Sequence, residues 1–137
     1  MQTIHKIAGI AVKDDAFFMV RKMGKDIWTS LGGKPEGVET EEETLQRECK
    51  EEINCSVNIL RKLGDFEAKA AFDDAIVRLS TYLVDINGTP EIIDNELEEC
   101  AYIPEDYKKR GVKLTEVMDN QIIPFCIKEG ILKWKSN

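Results

Sequence analysis

The stretch that decides the fold is GKPEGVETEEETLQRECKEEINC, residues 33–55. Thr40 opens a helix in it, with Glu43 three residues later at capping-box spacing. The helix is expected to run to about Ile53 and to end near Asn54, a residue that tolerates the left-handed C-cap. Leu45, Cys49 and Ile53 form an apolar stripe that anchors one face to a core. Glu48, Glu51 and Glu52 stand at i, i+3 and i+4, so their carboxylates gather beside that stripe. Like charges so spaced destabilise an isolated helix by roughly 0.2–0.5 kcal/mol per pair, and a cation relieves the repulsion. Hard oxygen ligands at this density suit Mg²⁺ or Mn²⁺, which bridge to phosphates, polarise phosphoryl oxygens and acidify bound water. Arg47, four residues before Glu51, can lock one carboxylate in place. A glutamate-rich helix can equally be a plain solvated face, so the surroundings decide.

Outward from this helix, residues 4–12 are apolar and partly β-branched and read as a buried strand. Lys13-Asp14-Asp15 is a turn, and residues 16–22 read as the returning strand of a hairpin. Residues 24–26 break it, and a short apolar piece, 27–31, runs into Gly32-Gly33. After the helix, strands are expected over 57–63 and 75–86, with Asn87-Gly88 a turn, and a short one over 99–103 before Pro104. Leu114, Met118, Ile122, Cys126 and Ile127 recur at helical spacing, which predicts a last helix over 115–131, interrupted or kinked at Pro124. Strands, helix, strands, helix make an α/β or α+β arrangement, a mixed sheet with helices on its faces.

The 137 residues suffice for one domain with a real core, and 42% hydrophobic with 33% charged residues describes an ordinary globule. No repeat or linker divides residues 1–137. A net charge of −7 disfavours nucleic-acid backbones as partners, but not a small phosphate substrate beside a bound cation. Cys49, Cys55, Cys100 and Cys126 form no C-x-x-C pair and His5 is the sole histidine, so zinc-ribbon and thioredoxin readings lack ligands. Scattered cysteines fit reduced, buried thiols in a cytoplasmic protein. No apolar run approaches a membrane span, and the N-terminus carries no signal-peptide pattern.

Residues 33–55 resemble the Nudix box, G-x5-E-x7-R-E-U-x-E-E-x-G-U, with U a bulky apolar residue. Gly33 opens it; Glu39, Arg47-Glu48 and Glu51-Glu52 take the acidic and basic places, and Cys49 and Cys55 the apolar ones. Asn54 replaces the second glycine, and asparagine is well suited to positive φ. The flanking elements also fall where this family has them, so the resemblance covers nearly the whole chain. It implies the Nudix α/β/α sandwich, with a mixed sheet between helices, and hydrolysis of a diphosphate linkage in a nucleotide-like substrate. By the same resemblance Glu48 and Glu52 are the principal Mg²⁺ ligands, with Glu51 a third ligand or helper and the Gly33 carbonyl a further one. Glu39 and Arg47 hold loop and helix in register. A further carboxylate, as ligand or general base, is implied in the run 94–99: Glu96, six residues before Tyr102, is favoured and Glu99 is the runner-up, with Glu98 between them; a solvated acidic loop is the bland alternative.

Within the family the chain looks most like the MutT-type branch, whose members convert nucleoside triphosphates to monophosphate and pyrophosphate. Asn120 sits about where that branch reads an oxidised purine with an asparagine; a helix cap or surface amide is the plainer reading. Arg21 and Lys22 are candidates for phosphate contacts or plain surface charges. Trp28, Phe66, Phe72 and Tyr82 are core residues first and base-stacking candidates second. Leu31 stands where the branch usually has proline. The competing functions are hydrolysis of ADP-ribose, a dinucleoside polyphosphate or a nucleotide sugar, and a non-catalytic nucleotide-binding module. The expected partner is a small nucleotide, with the chain a monomer or homodimer.

Overall fold

The run Ile7 to Ala11 is buried at every position, which a strand achieves only with neighbours on both edges and layers on both faces. In the computed structural model, which describes residues 2–70 and 73–135, strand β1 (Gln2–Ile10) has that place. The chain then turns at Ala11, and only β2 (Val12–Lys13) pairs with β3 (Ala16–Lys22). Asp14 and Asp15 both adopt positive φ, 51° and 56°, the backbone of a type I′ turn. The hairpin expected between residues 4–12 and 16–22 is therefore confined to its tip. The long arm, β1, belongs to another sheet, because full burial requires partners that a hairpin edge lacks.

Those partners come from distant sequence. After β4 (Ile27–Thr29), strand β5 (Leu31–Gly33) runs antiparallel to β1, pairing Ala8 with Gly32. Beyond helix α1 (Glu41–Ile53), strand β6 (Val57–Lys69) turns back into β7 (Ala75–Ile86), which lies parallel to β1 from Gln2↔Ala75 to Ile10↔Leu83. The first sheet thus has the order β5-β1-β7-β6 and is mixed, as expected. In the second sheet β3 is flanked by β2 and β4 and by β8 (Leu97–Ile103), and β9 (Lys113–Leu114) joins β4 in parallel. Strand β6 extends six residues past its expected end at Leu63; two register shifts let its polar half stay paired.

Helix α1 forms as its caps dictate. The Thr40 hydroxyl accepts the Glu43 N–H at 3.1 Å, and the Glu43 carboxylate accepts the Thr40 N–H at 2.9 Å. Asn54 ends the helix at φ 57°. Thr40→Ala should lower stability by about 1 kcal/mol in urea unfolding, and an unchanged midpoint would remove the cap from the account. Leu45, Cys49 and Ile53 are fully buried and pack with Ile7, Val57 and Val84 on one face of the first sheet. On the other face, Ala8, Ile10 and Leu79 meet Met118, Ile122 and Cys126. The last helical segment is shorter than expected. A widened turn of π type (Met118–Ile122), in which the Ile123 N–H reaches back to the Met118 carbonyl, precedes α2 (Ile123–Lys128). Pro124 lacks the N–H that a regular turn would use there, which is the physical reason for the irregularity. Helices cover both faces, giving an α+β sandwich with mixed sheets.

Trp28 and Tyr82 are core residues, and Phe66 packs edge-on against Phe125; Phe72 lies outside the described residues. All four cysteines are free thiols. Among the described residues no helix is long and apolar enough to cross a membrane.

Candidate active site

Helix α1 presents Glu48 and Glu52, one turn apart, to a cavity of about 210 Å³ that Gly32, Gly33 and Lys34 close on the side of β5. Glu52 is 9% exposed, and its carboxylate accepts the Gly32 N–H at 3.1 Å. Burial pushes its pKa up to about 8; repulsion from Glu48 and Asp94 adds to this, while the Gly32 N–H and Lys22 act against it. Burial also raises Glu48, opposed by the Arg47 guanidinium. A Cβ on Gly33 would lie 2.4 Å from the Glu48 carboxylate carbon, so only glycine at 33 leaves that carboxylate its place. Gly33→Ala should push aside this flexible side-chain end with little change in Tm. Turnover should fall by about 100-fold, since misplacement of one ligand by an ångström has effects of that order. Full activity in that variant would remove Glu48 from the machinery.

Arg47 organises the surrounding loop. Its guanidinium donates to both oxygens of Glu39, at 2.7 and 3.0 Å, and to the Lys34 carbonyl at 3.0 Å. It also donates to Glu48 at 3.0 Å and to Glu51 at 3.3 Å. Glu39 further accepts the Glu36 N–H and the Thr44 hydroxyl. Hydrogen bonding to Arg47, then to the Glu36 N–H, holds the Glu39 carboxyl down at about 2. The pair thus joins the 34–39 loop to α1.

The structure separates the three box carboxylates that sequence spacing groups. Glu51 has a 54% exposed side chain, turned to Arg47 and outside the cavity lining. Among the described residues no three His, Cys, Asp or Glu side chains are gathered closely enough to hold a metal ion. Of the acidic run after β7, Glu96 lines the cavity, and so does Asp94, whose carboxylate accepts the Glu96 N–H at 2.8 Å. Glu98 and Glu99 instead pair with Arg21, and Glu98 also accepts the Gly24 N–H. The Arg21 guanidinium further donates to the Lys25 carbonyl and lies 5.9 Å from the Trp28 ring centre, so its charge is met away from the cavity. Lys22 faces the cavity, together with Lys6 and Lys34. Asn120 lies in the π-type turn, exposed, outside the lining of the cavity.

Asp94, Lys6 and Lys34 were therefore missed from sequence. Lys6 carried a signal, a lysine beside Ile7 in a run that is otherwise mostly apolar. Glu48, Glu52, Asp94 and Glu96 line one cavity with hard oxygen donors of the chemical kind Mg²⁺ takes, although they are not gathered into a ligand cluster, and a cation there would favour the ionised form that burial opposes in Glu52.

No curated protein sequence matches the chain. The fold is similar to the crystal structure of UDP-X diphosphatase (TM-score 0.79, 18% identity), covering 96% of this chain and 65% of that one; the chain thus spans about two-thirds of that protein's length. It is also similar to a MutT NUDIX hydrolase from Burkholderia pseudomallei (TM-score 0.67, 19% identity), over 77% of this chain and 86% of that one. An ADP-ribose pyrophosphatase from Streptococcus suis matches at TM-score 0.70 and 14% identity, over 96% of this chain and 95% of that one. The model of the NUDIX domain matches residues 3–118. With that match spanning both sheets and the whole carboxylate cavity, the chain belongs to the Nudix domain family.

Proposed function

We propose that the protein is a Mg²⁺-dependent, MutT-like pyrophosphohydrolase that converts a nucleoside triphosphate, normal or oxidised, to the monophosphate and pyrophosphate. The observation that carries this reading is one cavity lined both by four carboxylates, Glu48, Glu52, Asp94 and Glu96, and by three lysines, Lys6, Lys22 and Lys34. Nudix hydrolases generally use a divalent metal, usually Mg²⁺. Here Glu48 and Glu52 would hold it, with Glu96 or Asp94 opposite and the Gly33 carbonyl alongside. When bound, it supplies Lewis-acid polarisation of phosphoryl oxygens and lowers the pKa of water.

The chain's own groups do the rest. The Gly32 N–H orients Glu52, and Arg47 orients Glu48. Glu96 takes the proton of a water whose oxygen bonds to the α-phosphorus as the bridging bond to the β-phosphate breaks. Lys22 and Lys34 meet the charge that develops on the departing pyrophosphate. Glu96 then returns its proton to solvent. Glu39 acts through Arg47, as a positioning residue.

The test is a panel of normal and oxidised nucleoside triphosphates, ADP-ribose, dinucleoside polyphosphates and nucleotide sugars, with products identified. Monophosphate plus pyrophosphate from a triphosphate, abolished by chelator and restored by Mg²⁺, is the expected result. Turnover only of ADP-ribose or a nucleotide sugar would replace the triphosphate reading. Binding without Mg²⁺-dependent turnover of any compound would leave a nucleotide-binding module.

A further inference from the structure

The carboxylate cavity adjoins a second hollow of about 70 Å³, with which it shares Lys6, Lys22, Thr29 and Leu79. Val77 and Val117 give this hollow an apolar wall, and Thr115 lines it from just before the last helical segment. One polar side-chain atom there, the Thr115 hydroxyl oxygen, is buried without a hydrogen-bond partner among the described residues, and Lys6 lines the same hollow. Lys6 is only partly exposed and makes no hydrogen bond or ion pair among the described residues. Burial holds its ammonium below the ordinary lysine range, and Lys22 and Lys34 push it the same way, against weaker support from Asp73 and Glu52. The Thr115 hydroxyl oxygen is buried with no partner among the described residues, although the Thr115 N–H is satisfied by the Trp28 carbonyl at 3.1 Å.

A partly desolvated ammonium and an unmet buried hydroxyl each disfavour the free protein. Native structures keep few buried groups unmet, and the one in this hollow shares its walls with a lysine held partly out of water. A ligand that brings an anion to Lys6 and a hydrogen-bonding atom to Thr115 satisfies both at once. A nucleotide's phosphate and the sugar it carries have that pairing of charge and hydroxyl.

We propose that this hollow is a ligand subsite in which Lys6 meets a phosphoryl oxygen and the Thr115 hydroxyl meets a polar atom of the nucleoside attached to that phosphate. It deepens the nucleotide pyrophosphohydrolase reading and rests on it. Lys6 is then a substrate-binding residue on the phosphate that stays with the nucleoside, and Thr115 a specificity residue.

The test uses ligands that the enzyme does not cut. Thermal unfolding and calorimetric titration would be run on the full chain in Mg²⁺ with AMP, GMP, CMP and UMP, and with inorganic pyrophosphate as the probe lacking a nucleoside. Lys6→Met should leave the Tm of the free protein unchanged or higher, because a partly desolvated charge is gone, yet bind the monophosphates about tenfold more weakly and pyrophosphate nearly as before. Thr115→Val should also fold normally, and should weaken only the monophosphates. The exposed Lys133→Met, which removes the same charge, should keep the full response.

Unaltered monophosphate binding by Lys6→Met would overturn the proposal, as would a lowered Tm of that variant without ligand, or no response of the unmodified protein to any of the five compounds. Equal loss of pyrophosphate and monophosphate binding in Thr115→Val would overturn the hydroxyl's role. A protein that binds monophosphates through Lys6 but cuts no triphosphate would lose the pyrophosphohydrolase reading and keep the subsite.

Discussion

Glu52→Gln is expected to lower kcat by about 10³-fold or more, some 4 kcal/mol of barrier, while the protein stays folded. Glutamine has the same shape and an amide oxygen that can still accept the Gly32 N–H, so β5 and α1 keep their junction. What disappears is the negative charge, on a group buried among Glu48, Asp94 and the β5 backbone. A catalytic cation would lose one of its most shielded ligands there, in the environment where a charge has most effect. The variant's Tm in chelator should not fall, because an amide has no charge to desolvate. Glu51→Gln is the informative neighbour. Its carboxylate is half exposed and bonded to Arg47, so its loss should lower turnover by only about tenfold. Turnover of Glu52→Gln within tenfold of normal, or equal losses in the two variants, would contradict the geometry.

The second large effect is on stability. Gly32→Ala should destabilise the protein by ~3–5 kcal/mol, read as the unfolding midpoint in urea. Gly32 has φ of 130°, and a Cβ built there would lie 1.8 Å from the Ile7 carbonyl oxygen. That obstacle is the backbone of β1, and it cannot yield without opening the β1–β5 pairing and tilting the N–H that holds Glu52. Gly33→Ala, one residue on, meets only the end of the Glu48 side chain. The two adjacent alanines should therefore separate cleanly, one losing stability and the other losing turnover. An unperturbed midpoint for Gly32→Ala would show that the strand junction is looser than its close approach requires.

The acidic helix was legible because its signals are local. Thr40 and Glu43 lie within one turn, Asn54 supplies its own left-handed cap, and the stripe Leu45, Cys49, Ile53 follows from 3.6-residue periodicity alone. Glu96 was also legible, although Asp94 beside it was not, because a loop without periodicity does not tell which of its carboxylates turns inward. The pairing of β3 with β8 settles that question. It places Arg21 directly across from Glu99, so Glu98 and Glu99 are taken up by the arginine while Asp94 and Glu96 remain at the cavity. The same pairing distinguishes Arg21 from Lys22, adjacent residues on opposite faces of one strand that carry the same charge.

By itself the order of residues determined one capped helix, with carboxylates at one-turn spacing beside an apolar stripe, and the family that such a helix belongs to. Interactions a few residues apart suffice for that. Only the tertiary structure divided the first expected hairpin between two sheets, turned Glu51 outward, and set Lys6 and Thr115 in one hollow. Those outcomes depend on strand pairings as far apart as Gln2 and Ala75 and on which groups burial leaves unsatisfied, neither of which local spacing encodes.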